Sequence, residues 1–516
     1  MTAPEVSVLP SGYTSRLRRL AASNGAKVFA ATFVFVALFE LLFKAHVIFS
    51  HALFLDDLFY FERSLSGLTF NGLEATQQDV PAGHGLDYTP NLQLYRALAG
   101  GLGDIVLLRL VHLAVFCFDA ALLALVLLPH IKDRTLTVLT AAFAFMTPFS
   151  HILTIFANGS YFVWFFLFYL GAILAWRHMR FSAGDSRVNR TCLLAGALLG
   201  VLAALFVDSG ILLLWPLLLF LLWNSRAWSA RNGQTTAGLL TLLLAALSWH
   251  TIASIQHPYT GIAGRLDYAP AGMVVNGLYI LSHMVWRYVE PMQYTGFRLE
   301  RDNAYPALAV ILLAVGALGL SFRFARTQLL ARLAVPGMLP ALGFFLLATL
   351  VSIGPYTIQT VTHIWHYFPH MLFFVPSVIL LLSVTAPRWA GYAAILLCGA
   401  LTVSSYRTTM PNYAATVERQ QAIASFLMAN ANSMRDSRRL VVITDTRELA
   451  SGVMNTDRFT SFARYVTGDP FLPPIEVYGP VAKSKRATTP APDLKGATVI
   501  EMRDGFRSIS IRDDTS

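Results

Sequence analysis

Apolar residues fall in long runs along this chain, and most of the runs approach bilayer length. The first covers residues 28–50. Further runs lie at 105–128, 135–150, 156–176, 191–207, 209–223, 236–254, 306–322, 334–351, 370–385 and 389–405. About 20 apolar residues rising 1.5 Å each cross a hydrocarbon core of about 30 Å, so the pattern predicts eleven transmembrane helices. Glu40 and Lys44 interrupt the first run and no small-x-small site follows it, which favours a retained helix over a cleaved leader. Residues 271–289 are also apolar, but they carry Asn276, His283 and Arg287, with Glu290 directly after. A helix lying in the membrane interface suits them better.

The polar stretches orient these helices. Lys132 and Arg134, the group Arg177, Arg180, Arg187 and Arg190, then Arg226 and Arg231, then Arg323, Arg326 and Arg332, and finally Arg388 all fall on alternate connections. They therefore share one side, which the positive-inside rule makes the cytoplasm. An odd number of spans leaves residues 1–27 inside and the C-terminus outside, with outer loops at 51–104, 255–305 and 352–369. Beyond about residue 406 the pattern changes. Leu440-Val441-Val442-Ile443-Thr444-Asp445 has the form of a buried strand. Residues 497–502 and 506–511 predict two more, joined by the turn Arg503-Asp504-Gly505. Residues 413–434 predict a helix, and 481–493 a polar, proline-containing linker. The expected fold is an α-helical polytopic membrane protein (1–27 cytoplasmic, 28–405 transmembrane) with a small extracytoplasmic α/β domain at 406–516.

Composition narrows the class. The chain is 55% hydrophobic and 13% charged, with mean hydropathy +0.55, against about 25% charged residues in soluble domains. Its net charge of +10 would suit nucleic acid, but the basic residues sit in short clusters between apolar runs, as orientation signals do. No nucleic-acid partner is expected. Cys117, Cys192 and Cys398 all lie within apolar segments, which argues against a disulfide framework or a cysteine metal site.

Candidate chemistry concentrates in residues 51–104. This loop holds His51, Asp56, Asp57, Arg63, His84 and Arg96, with the turn-rich piece Asp87-Tyr88-Thr89-Pro90-Asn91. Asp56-Asp57 opens a stretch suited to a juxtamembrane helix, whose dipole favours a charged carboxylate there by about 0.3–1 kcal/mol. One aspartate caps such a helix; the pair leaves a second carboxylate over. A positioned carboxylate is what an attacking hydroxyl needs to lose its proton.

An acidic pair in the first outer loop, directly after the first span, resembles the GT-C glycosyltransferases, which use polyprenyl-phosphate-linked sugars. Other pieces are similar in the same order: 87–96 to an aromatic-Arg-Pro-leucine stretch, Thr147-Pro148-Phe149-Ser150-His151 with Asn158-Gly159 to a Pro-containing outer hairpin, and Trp365-His366-Tyr367-Phe368-Pro369 to the start of a late span. Thr89 and Ile364 stand where the family has arginine, and Asp208-Ser209-Gly210 replaces a Lys-Glu pair. The resemblance covers about residues 28–405. It implies a multi-pass protein of the bacterial inner membrane with its site facing the periplasm. There it would transfer a sugar, with inversion, from a polyprenyl-phosphate donor to a hydroxyl of a glycan, lipid or protein acceptor. Asp56 or Asp57 is then the base; Arg96, Arg287, His363 and His366 are candidates for the donor phosphate. Asp57 with His151 forms a candidate ligand pair for a divalent cation, magnesium or manganese.

Two other classes stay open. A transporter or lipid flippase would use intramembrane acids such as Asp119, although the charged residues concentrate in outer loops and no paired broken helices recur. A GT-C-like chain without activity would serve as an assembly partner. Asp119 also suits a helix–helix hydrogen bond, Asp208 a turn, and His112 and His283 packing or interface positions.

Overall fold

The computed structural model describes residues 23–52, 105–150, 153–155, 160–177, 179, 186–207, 210–225, 231–256, parts of 272–281, 297–298, 337–357, 361–362, 367–445, 448–449, 452–453, 456–469, 471–479, 494–504 and 507–513. Every apolar run except 306–322, which lies outside these residues, falls on a helix. They are α1 (Asn24–Ile48), α2 (Ile105–Leu127), α3 (Arg134–Phe145), α4 (Ser160–Arg177), α5 (Ser186–Phe206), α6 (Gly210–Ser225), α7 (Arg231–Gln256), α8 (Met338–Thr357), α9 (Tyr367–Thr385) and α10 (Arg388–Ala429). Among the described residues α1, α2, α5, α9 and α10 are long and apolar enough to cross a membrane, and α3, α4, α6 and α8 carry shorter apolar stretches.

Several boundaries differ from the hydropathy pattern for local reasons. α3 stops at Phe145 rather than 150, because Pro148 disfavours helical backbone at Thr147. The chain instead turns, with Ser150 N–H donating to the Thr147 carbonyl (3.1 Å) and Leu153 N–H to that of Ser150 (3.0 Å). α8 runs to Thr357 and α9 begins at Tyr367, leaving 358–366 between them where hydropathy suggests 352–369. In the expected interfacial helix 271–289, residues 272–274, 276–278 and 280–281 are helical, and 282–289 lie outside the described residues. Two short strands, β1 (Phe297–Arg298) and β2 (Val361–Thr362), pair antiparallel, with Phe297 opposite Thr362. They join the second expected outer loop to the third.

The largest departure is α10. The last apolar run and the helix expected at 413–434 are one helix of 42 residues, about 63 Å at 1.5 Å per residue. An unbroken stripe holds it together: Gly391, Ile395, Gly399, Thr402, Tyr406, Thr409, Tyr413, Thr416, Gln420, Ile423 and Leu427 are all buried. Each lies three or four residues from the next, one face of a helix. Near its start the stripe packs on α3 so closely that a Cβ on Gly399 would sit 2.6 Å from Phe143 Cζ. Lipid offers no hydrophobic drive between helices, so close backbone approach of this kind is what holds them together.

Past α10 and the short α11 (Ala431–Asp436), the chain forms the C-terminal sheet from β3 (Leu440–Thr444), β6 (Ile475–Tyr478), β7 (Thr498–Arg503) and β8 (Ser508–Asp513). Between β3 and β6 lie the small hairpin strands β4 (Glu448–Leu449) and β5 (Gly452–Val453), then α12 (Thr456–Thr467). The sheet order is β6-β3-β7-β8, with β3 parallel to β6 and β7 and with β7–β8 an antiparallel hairpin. Asp504, at φ 54, makes the hairpin turn. The strands β3, β7 and β8 match the expectation; β6, only four residues long, was not anticipated. Leu440, Val442, Ile475, Val477, Ile500 and Met502 face a core shared with Phe459, Phe462, Ile423 and Leu427.

That core also contains Ile105 and Leu108, the first turn of α2. The sheet therefore sits against the start of α2. The other end of α2 leads to His130, Lys132 and Asp133, which line a cavity with Arg388. The 23 residues of α2 separate the two ends by about 35 Å.

Candidate functional site

Arg109 lies one turn into α2, beside Ile105 and Leu108, and is fully buried. Its guanidinium donates to four backbone carbonyls from two separate segments. Nε donates to Ile155 (2.7 Å), Nη1 to Val47 (3.1 Å) and to Ser50 (2.7 Å), and Nη2 to Ala52. A buried cation is costly unless its donors are satisfied, and here the carbonyls left over where α1 ends supply the acceptors. α1 closes at Phe49, whose N–H donates to the Ala45 carbonyl (3.0 Å), so the chain from Val47 to Ala52 curls around Arg109. One side chain thus ties the residues entering segment 53–104 to the helix that leaves it.

A second buried network lies one turn deeper. Glu40 and Lys44 are both fully buried, four residues apart on α1, and paired to each other. Lys44 Nζ donates to Thr154 Oγ1 (3.0 Å), Thr154 Oγ1 to Glu40 Oε2 (2.9 Å), and the Tyr406 hydroxyl to Glu40 Oε1 (3.2 Å). The ammonium also lies 4.9 Å from the centre of the Tyr406 ring, a cation–π distance. Ser150 Oγ is 3.4 Å from the Tyr406 hydroxyl. Every member is satisfied by another, so the network joins α1, the turn after α3 and α10 into one body. Its members hold one another in place.

Aromatic packing fixes the start of α9. Phe368 is fully buried, with ring centroids 5.7 Å from Phe145, 5.6 Å from Phe166 and 6.3 Å from Phe116. Two residues on, His370 is buried with Nδ1 2.8 Å from Ser352 Oγ, so this histidine links α9 to α8 inside the bundle. In the middle of α2, Asp119 is buried with no hydrogen-bond partner among the described residues. His112, also buried, lies two turns before it on the same face.

The candidate base, phosphate-binding and metal residues Asp56, Asp57, Arg96, His151, Arg287, His363 and His366 lie outside the described residues. Their described neighbours in the chain are informative. Ala52, held by Arg109, precedes Asp56 by four residues. Ser150, against Tyr406, precedes His151, and Thr362, paired with Phe297, precedes His363. Among the described residues no three of His, Cys, Asp and Glu come together as a metal site requires. Sequence reasoning missed Arg109, Glu40 and Lys44 as organising groups. The available signal was that ionisable residues inside a span default to a functional role, and that Glu and Lys at i and i+4 pair on a helix.

No protein-family model matches the chain, and no curated protein matches it.

Proposed function

We propose that this chain is a GT-C-type membrane glycosyltransferase with eleven spans and its basic loops in the cytoplasm. On this reading it moves a sugar from a polyprenyl-phosphate donor to an acceptor hydroxyl at the outer membrane surface. The observation that carries the reading is the clamp made by Arg109, which binds the carbonyls of Val47, Ser50 and Ala52 from within the helix that follows segment 53–104. The clamp fixes the first residues of that segment in place. Asp56 follows Ala52 by four residues, at most about 14 Å of chain, so the acidic pair starts from a fixed root. The C-terminal sheet packs on Ile105 and Leu108, at the same end.

In this mechanism Asp56 or Asp57 takes the acceptor's proton as the oxygen attacks the anomeric carbon. The bond from that carbon to the lipid phosphate breaks, and cations stabilise the departing charge. Arg96, Arg287, His363 and His366 are the candidates for that role. Pairing of β1 with β2 supports the last three acting together, because it joins the loop of Arg287 to that of His363 and His366. The direct test supplies the full chain, in liposomes, with a labelled polyprenyl-phosphate sugar and a crude envelope acceptor. Label moving out of the donor lipid supports the reading; a donor that stays intact with every acceptor fraction opposes it.

One observation favours a second reading. Asp119 is a buried mid-span acid without a hydrogen-bond partner among the described residues, as an ion-coupled transporter or flippase would require. Lipid-probe flipping in the same liposomes, abolished by Asp119→Asn, would favour that class.

A further inference from the structure

At the end of the bundle away from the clamp, a cavity of about 270 Å³ opens between the end of α2, the starts of α3, α8 and α10, and the end of α9. It is just smaller than the roughly 300–1,000 Å³ of a typical small-molecule pocket and many times the roughly 30 Å³ of one water. Lys132 and Arg388 line it and are exposed, together with His130, Asp133 and Ser383.

The charges are unbalanced. Asp133 is already engaged, because its carboxylate accepts from Leu136 N–H (3.1 Å) as the cap of α3. Although burial opposes its charge, this bond and one from the Tyr392 hydroxyl hold it below the usual carboxylate range. Burial pushes His130 down to about 4, with Arg177 adding to the effect, so it is neutral near pH 7. Two cations therefore face one occupied anion. Three helix N-termini and two helix C-termini border the cavity, which leaves one positive end in excess, and the N-terminus at Pro387 has no side-chain cap. Trp389, next to Arg388, is 70% exposed. An exposed tryptophan beside basic residues marks headgroup depth.

We propose that this cavity binds the phosphate of an anionic lipid headgroup from the leaflet at the basic end of the bundle. Lys132 and Arg388 grip the phosphate from either side of the mouth, and neutral His130 and the Ser383 oxygen, whose own O–H is given to the Ile379 carbonyl (2.7 Å), accept from the glycerol hydroxyls. The acyl chains leave across the apolar flank of α9. Such a lipid would add to the Asp133–Tyr392 bond between α3 and α10 and tie α2, α8 and α9 to them at this end.

The test is native mass spectrometry of the full chain, purified in detergent and titrated with phosphatidylglycerol or phosphatidylcholine. Wild type should retain phosphatidylglycerol preferentially. Each cation at an anionic surface contributes about fivefold, so Lys132→Ala with Arg388→Ala should weaken that lipid about 30-fold and leave phosphatidylcholine unchanged. Ser383→Phe, which fills the cavity and keeps both charges, should also lose the preference. Arg187→Ala with Arg190→Ala removes two cations of α5, away from the cavity lining, and should retain it. The proposal is overturned if the cavity pair binds phosphatidylglycerol like wild type, or if the control pair loses it equally. Competition by millimolar inorganic phosphate as effective as the lipid would overturn it too, by assigning the site to a soluble anion.

Discussion

Replacing Arg109 by alanine should loosen segment 53–104 at its root. Four carbonyls lose a donor. The Val47 carbonyl keeps Ser50 N–H (3.1 Å) and Ser50 Oγ (2.7 Å), which leaves Ser50, Ala52 and Ile155 to count. A buried acceptor without its bond costs about 1–3 kcal/mol, or roughly 3–9 for three. The relief of no longer burying a guanidinium, and water entering the gap, reduce this to about 3–5 kcal/mol. Arg109→Lys keeps the charge but has no planar fork, and should recover less than half. The assay is limited proteolysis of the protein in detergent, where protease reaches both sides, with the cleavage site mapped. If only the root opens, a cost of about 3 kcal/mol raises the open population about 100-fold and cleavage within 53–104 with it. Arg109→Ala protein that is cut no faster than wild type there, and unfolds within 1 kcal/mol of it, would refute the clamp.

The Glu40–Lys44 pair makes a related prediction. Glu40→Leu or Lys44→Met alone strands a buried charge and should cost about 3–5 kcal/mol, whereas the double variant should be restored to within about 1 kcal/mol of wild type; equilibrium unfolding of the three variants checks this. The C-terminal domain should be acid-sensitive through Asp469, whose carboxylate accepts from Arg435 Nε at 2.7 Å and is held by that bond below the usual range. A lowered carboxylate stabilises above its unfolded pKa of about 3.9 and loses that stability as pH falls through the folded value. Asp469→Asn should therefore flatten the domain's stability profile below about pH 4, as followed by circular dichroism. His366→Ala should raise donor KM more than acceptor KM, as steady-state kinetics with each substrate varied in turn would show.

Helix positions were legible in the sequence because lipid demands long apolar runs, and ten such runs fall on helices. Boundaries were less so. Pro148 ends α3 early, and α10 runs past the change in composition near 406 because a buried stripe of one residue per turn continues where mean hydropathy falls. β6 escaped because Ile475-Glu476-Val477-Tyr478 is short and mixes polar with apolar positions; β3 beside it, as Leu440-Val441-Val442-Ile443-Thr444, did not. The buried network was hardest to read. Glu40 and Lys44 look from sequence like flaws in a span, because Thr154 and Tyr406, which complete them, lie 114 and 366 residues from Glu40. Arg109 binds backbone carbonyls, which carry no residue signature at all.

The central claim is that a carboxylate of the first outer loop removes the acceptor's proton during sugar transfer. Its most direct test is the single-turnover rate of transfer from a labelled polyprenyl-phosphate sugar by wild type, Asp56→Asn and Asp57→Asn, each reconstituted at equal amount and shown to be folded. Loss of a general base lowers the rate about 10²–10⁴-fold, so at least one variant should fall that far while its donor still binds. Transfer at the wild-type rate by both variants would contradict the account.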